Sequence, residues 1–168
     1  TPVIWNDAIF ITTQAEDRLL VLRLDKTTRC IVWTRQVGTA DTPRDAPRGE
    51  QKFHNLNNNA SPSVVTDGEH VVAHFGNGDL AVFNFDGELL WKRNLQADYG
   101  KYSIWWGHAN SPVIVGDLVI SVCMQDSLAD LQETPHPSCV VAHDLKTRKE
   151  VWYTRRMTGA MRESCDAY

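Results

Sequence analysis

The stretch Ala142-His143-Asp144-Leu145-Lys146-Thr147-Arg148-Lys149-Glu150-Val151-Trp152 decides the fold. It begins where an apolar run, Ser138 to Ala142, gives out at an aspartate. Thr147 follows three residues later, and a second run closes on tryptophan. Asp and Thr side chains bond to nearby backbone groups and so stabilise a tight turn. Two short runs joined by such a turn read as adjacent antiparallel strands. Working outward, the same arrangement occurs at Asp25, Thr28 and Trp33. It occurs again, one residue shorter, at Asn84, Gly87 and Trp91.

The repeat extends on the N-terminal side of each turn. Thr1-Pro2-Val3, Ser61-Pro62-Ser63 and Ser111-Pro112-Val113 each open an apolar run. Turn residues follow at Asn6-Asp7, Asp67-Gly68 and Gly116-Asp117, then further runs at Ile9–Thr12, Val71–Phe75 and Leu118–Cys123. Third runs lie at Leu20–Leu24, Leu80–Phe85 and Ser138–Ala142. The runs are short, rich in Val, Ile and Phe, and bounded by Gly, Asp and Asn, which is the pattern of strands. Asn77-Gly78, between two such runs, predicts a two-residue hairpin. Each copy therefore reads as four antiparallel strands, A to D, with the tryptophan on D. Repeated four-stranded units predict the blades of a β-propeller, an all-β fold. The predicted blades cover about residues 1–37, 61–95 and 111–157, with long connections at 38–60 and 96–110. The third copy carries an insertion near Asp126 to Pro137.

The copy at Ala142 to Trp152 resembles the tryptophan-docking motif of quinoprotein-type (PQQ-like) repeat propellers, which runs Ala-x-Asp-x-x-Thr-Gly-Lys-Glu-x-Trp. The fixed positions match at Ala142, Asp144, Thr147, Lys149, Glu150 and Trp152; Arg148 stands where the family has Gly, and Arg29 does so in the first copy. A non-Gly residue at that left-handed position is expected to strain the turn or change its type. The chain is most similar to bacterial proteins with PQQ-like repeats that resemble the outer-membrane assembly scaffold BamB. The resemblance implies a ring of seven or eight blades, of which this chain supplies about three as a fragment. The tail Met161 to Tyr168 then reads as the loop before a fourth strand A. It also implies the periplasm or cell envelope as the location.

Net charge is −4 and charged residues make up 23% of the chain. A mildly acidic chain does not have the basic footprint of a nucleic-acid binder. No apolar run approaches a membrane span. The cysteines, Cys30, Cys123, Cys139 and Cys165, form no CxxC pair; a disulfide between Cys123 and Cys139 is open.

Antiparallel order puts the D-to-A and B-to-C connections at one end of the blades, so the long loops share a face. Strand A is innermost in a propeller, so residues just before it approach the central axis. The candidate ligand residues are accordingly His54, Asn57 and Asn59 from the first connection. Trp105, Trp106, His108 and Asn110 come from the second. Stacking rings beside amide and imidazole groups suit a sugar, a small polar ligand or an extended peptide. The alternatives are that the asparagines satisfy their own loop backbone and that Trp105 and Trp106 fill the gap between blades. The histidines show no metal-ligand spacing, and no nucleophile elbow occurs. Asp25, Thr28, Trp33, Asn84, Gly87, Trp91, Ala142, Asp144, Thr147 and Trp152 are read as structural.

Two function classes follow from the resemblance. One is a non-catalytic scaffold binding protein partners or a polar ligand, with no cofactor. The other is an alcohol or sugar dehydrogenase using PQQ with Ca²⁺. Alcohol-oxidising members of that second class carry an adjacent Cys-Cys, which is absent here. A carbohydrate-binding propeller using Trp105 and Trp106 is a third reading.

Overall fold

The computed structural model describes residues 1–40, 57–102, 104, 106–125 and 137–156. They form three four-stranded antiparallel sheets, each with its strands in chain order. The first holds β1 (Val3–Trp5), β2 (Ala8–Ala15), β3 (Arg18–Asp25) and β4 (Ile31–Thr39). The second holds β5 (Val65–Thr66), β6 (His70–His74), β7 (Asp79–Asn84) and β8 (Leu89–Asn94). The third holds β9 (Val113–Val115), β10 (Leu118–Cys123), β11 (Cys139–Asp144) and β12 (Glu150–Arg155). These are propeller blades, as the repeats predict. A single turn of helix, α1 (Leu95–Tyr99), leaves β8, its N-terminus capped by the Asn94 side chain, which accepts from the Ala97 N–H at 3.0 Å.

Side chains alternate faces along a strand, and the middle blade uses both faces. Val71, Ala73, Ala81 and Phe83 pack with Phe10, Leu19, Val21 and Trp33 of the first blade. Val72, Leu80 and Val82 pack with Val119, Cys123, Cys139 and Val141 of the third. This is why β6 is buried at every position, whereas β2 and β10 alternate between buried and partly exposed residues.

Each blade carries a register shift at the same place, beside the residue paired with its tryptophan. It falls between Arg23 and Leu24, between Val82 and Phe83, and between Ala142 and His143. A bulge re-aims the neighbouring side chain; here it accompanies the turn of the indole toward the next blade. The Trp33 Nε1–H donates to the Phe85 carbonyl at 3.2 Å, and the Trp91 Nε1–H donates to the Leu145 carbonyl at 2.5 Å. Trp152 occupies the equivalent place in the third blade and is 37% exposed.

The predicted two-residue hairpin at Asn77-Gly78 is longer. β6 ends at His74 and β7 begins at Asp79. The turn is closed by Phe75 N–H to Asp79 carbonyl (2.9 Å) and Gly78 N–H to Phe75 carbonyl (2.8 Å). Asn77 takes over ladder bonds itself: its Oδ1 accepts from the Asp79 N–H at 3.0 Å and its Nδ2 donates to the Thr39 carbonyl at 3.0 Å.

Candidate functional site

The long connections and the B-to-C turns do meet on one face. The Gly76 N–H donates to the Asn59 carbonyl at 2.7 Å, and the Leu95 N–H to the Gly78 carbonyl at 2.8 Å. Gln125, just past β10, donates through Nε2 to the carbonyls of Tyr99 (2.8 Å) and Gly100 (2.7 Å). This stitches the second connection to the third blade.

Most polar side chains on this face bond within the protein. Asn57 donates through Nδ2 to the Trp106 carbonyl at 2.6 Å and accepts from the Ser61 hydroxyl at 2.6 Å. Gly107, at φ 89°, lies so close beneath Asn57 that an added Cβ would come 2.5 Å from its Nδ2. Asn59 is buried, and its N–H reaches Gln14 Oε1 at 3.1 Å. Asp79 accepts from Asn77 Nδ2 (2.9 Å) and Asn94 Nδ2 (3.1 Å), and Lys92 Nζ lies 3.2 Å from it. Gln96 donates to the Asn77 carbonyl at 2.7 Å and accepts from the Tyr102 N–H at 2.7 Å. Asn77, Asp79, Asn94 and Gln96 were not among the sequence candidates. The hairpin signal at Asn77-Gly78 marks the turn, but partners from Thr39 to Gln96 are invisible without the fold.

Among the other candidates, Trp106 is 41% exposed. Asn110 lines an open recess of about 580 Å³ with Ala109, Ser111, Val122, Met124, Val140 and Arg156. His108 is fully buried, stacked on Tyr102 with ring centroids 4.5 Å apart and edge-on to His74 at 4.7 Å. His74 Nε2 lies 3.1 Å from the Tyr102 hydroxyl. Burial favours the neutral imidazole and lowers the His74 pKa from 6.5 to about 4. His54, Trp105, the tail from Met161 and nearly all of the insertion lie outside the described residues. No group of three or more His, Cys, Asp or Glu suited to a metal occurs among the described residues.

A second polar cluster sits at the outer end of the same junction. The Tyr99 hydroxyl donates to Glu150 Oε2 at 2.6 Å and lies 3.0 Å from His143 Nε2. Burial lowers the His143 pKa to about 4 as well, and burial with the Glu150 bond raises that of Tyr99.

The docking-motif residues hold turns. Asp25 Oδ1 accepts from the Thr27 and Thr28 N–H groups and the Thr28 hydroxyl, and Asp144 Oδ1 does the same with Lys146 and Thr147. Arg29 and Arg148 stand at φ 63° and 65°, the left-handed conformation expected where the family has Gly. In the shorter second turn Gly87 takes φ 81°, and Asn84 bonds Glu88 instead. Cys123 and Cys139 are unbridged thiols, as is the exposed Cys30.

The sequence matches the family profile described as "Outer membrane protein assembly factor BamB" over residues 1–167. The chain belongs to this family. No well-characterised protein sequence matches closely enough to count as a relative. Solved structures share the BamB-like repeat fold at low identity. The quinohemoprotein alcohol dehydrogenase of Comamonas testosteroni aligns at TM-score 0.64 and 16% identity, over 92% of this chain and 20% of that one. The corresponding enzyme ADHIIG of Pseudomonas putida HK5 aligns at 0.65 and 18%, over 92% and 20%. BamB of Moraxella catarrhalis aligns at 0.55 and 17%, over 92% and 37%. The chain thus spans from a fifth to somewhat over a third of these structures. BamB-like and PQQ-like families are typically periplasmic or envelope-associated.

Proposed function

We propose that the protein is a non-catalytic scaffold of the cell envelope, working in the periplasm without a resident cofactor and holding protein partners on its loop face. The observation that carries this reading is the state of that face. Asn57, Asn77, Asn94, Gln96, Gln125 and Asp79 are committed to internal bonds, which makes a stiff platform. On it, Trp106 keeps 41% of its surface open. An aromatic side chain on a preorganised frame is the usual anchor of a protein interface. Membership of the BamB-like family supports the same reading.

The alternative, a PQQ-dependent alcohol or sugar dehydrogenase, draws on the likeness to dehydrogenase structures. One observation on this face counts against it. Ca²⁺ takes six to eight oxygen ligands, and the buried carboxylate of this face, Asp79, is already held by Lys92, Asn77 and Asn94.

Two measurements separate the readings. A photo-crosslinking residue placed at Trp106 in producing cells is expected to give a discrete protein adduct; yield no greater than from the exposed Lys146 turn overturns the scaffold. Titration of the full-length protein with PQQ and Ca²⁺ is expected to show no saturable binding. Tight stoichiometric binding replaces the scaffold with the dehydrogenase.

A further inference from the structure

Cys123 ends β10, Cys139 opens β11, and the two are direct partners in the ladder. The Leu145 N–H donates to the Asp117 carbonyl at 2.9 Å just beyond the other end of that ladder. Pairs alternate in kind along antiparallel strands. Stepping by two from there, through Val119 with His143 and Ser121 with Val141, puts the cysteines at a hydrogen-bonded pair. Such partners hold their Cα atoms about 5.5 Å apart, inside the roughly 4.4–6.8 Å that a disulfide spans. Both side chains lie on the face toward the second blade and are fully buried. The Tyr102 hydroxyl is 3.8 Å from Cys123 Sγ.

We propose that Cys123 and Cys139 are a redox-convertible pair, closed to a cross-strand disulfide by exchange with a small-molecule disulfide such as oxidised glutathione and reopened by the thiol. Cys139 attacks first. The neighbouring Cys123 thiol holds its pKa below the ordinary value, while Cys123 is raised by Cys139 and by burial. The Cys139 thiolate displaces one glutathione thiolate and forms a mixed disulfide. Cys123 then gives up its proton to a base, attacks Cys139 Sγ and expels the second glutathione thiolate. Two protein thiols and one disulfide become one protein disulfide and two thiols.

The pair geometry makes the bond reversible. Cβ atoms of hydrogen-bonded partners sit toward the far end of about 4.5–5.5 Å, whereas a disulfide wants roughly 3.5–4.5 Å. Closure must draw the strands together, and strained disulfides are the more easily reduced ones. Because neither sulfur is exposed, exchange is fast while the third blade folds and slow afterwards.

The test is to refold the full-length protein from denaturant in graded mixtures of reduced and oxidised glutathione. Acid quenching, alkylation and peptide mapping by mass spectrometry follow. Expected is a Cys123–Cys139 linked peptide lighter by two hydrogen atoms at the oxidising end, lost again in excess reduced glutathione. Cys123→Ser should stop at a glutathione adduct on Cys139. Mapping identifies the linked cysteines in the unsubstituted chain too, so the test does not depend on a variant folding. Both thiols staying alkylatable after oxidative refolding overturns the proposal. So does an adduct that never closes in the unsubstituted chain, or a link from either cysteine to Cys30 or Cys165.

Discussion

The two junctions between blades use the same strand positions and are filled differently. Between the first and second blades lie Phe10, Trp33, Phe75 and Phe83 with Leu19, Val21 and Val71, an apolar seam whose buried Thr12 donates to the Pro62 carbonyl. Between the second and third lie Val72, Leu80, Val82 and Trp91, joined by His74, Tyr102, His108, Cys123, Cys139 and His143. The parity of β6 makes the difference. Val71 and Ala73 face one way, and Val72 and His74 the other. The first seam is filled by hydrocarbon and tied by hydrogen bonds such as Trp33 to Phe85 and Lys92 to Val37. The other encloses groups that titrate and exchange, so its strength depends on conditions.

The largest expected effect tests what the seams share. Trp33→Ala and Trp91→Ala should each cost about 3–5 kcal/mol, read from urea unfolding midpoints. A cost below about 1 kcal/mol for either would remove the docked indole as the common joint.

The next effect separates the seams. His74 has its folded pKa lowered from 6.5 to about 4 by burial. The unfolded chain therefore takes up a proton that the folded chain refuses as pH falls through that window. Stability from His74 is fully present above pH 6.5 and declines toward pH 4, by up to about 3 kcal/mol. Hydrogen-exchange protection factors, corrected for the intrinsic rate at each pH, should fall with acid in β6 and β10 and not in β2 and β3. His74→Gln, neutral throughout, should remove the His74 share of the slope and leave that of His143; an equal slope in both seams would erase the distinction.

Smaller effects concern the turns. Gly87 has φ 81°, and an added Cβ would come 2.8 Å from the Trp33 ring. Gly87→Ala should cost about 2 kcal/mol or more, combining left-handed strain with a blocked indole. Gly116, at φ 57° with nothing within 4 Å, isolates the backbone part, about 1 kcal/mol for Gly116→Ala. Equal thermal shifts for the two would show that the Trp33 contact contributes nothing. Least of all, Arg29→Gly and Arg148→Gly should stabilise by up to about 1 kcal/mol, strain relieved less the added freedom of the unfolded chain.

Much of this was legible in the chain. Asp25, Asp144, their threonines and the tryptophans announced the turn, the strand pair and the docking role, because those interactions run over a few residues or repeat in register. The bulge beside each tryptophan was not legible, since it is a property of the pairing. Neither was the fate of Asn57 and Asn59. An asparagine in a loop reads alike whether it waits for a ligand or bonds a carbonyl such as that of Trp106, 49 residues away.

The sequence by itself determined the all-β repeat, the four strands of each blade and the left-handed turn positions, since alternation and turn chemistry are local. Only the tertiary structure decided which face of β6 meets hydrocarbon and which meets histidine. It also decided that Cys123 and Cys139 stand opposite each other, and that the loop asparagines lock the platform. Each of these depends on what a distant segment brings within a few ångströms, and that distance is set by packing, not by order along the chain.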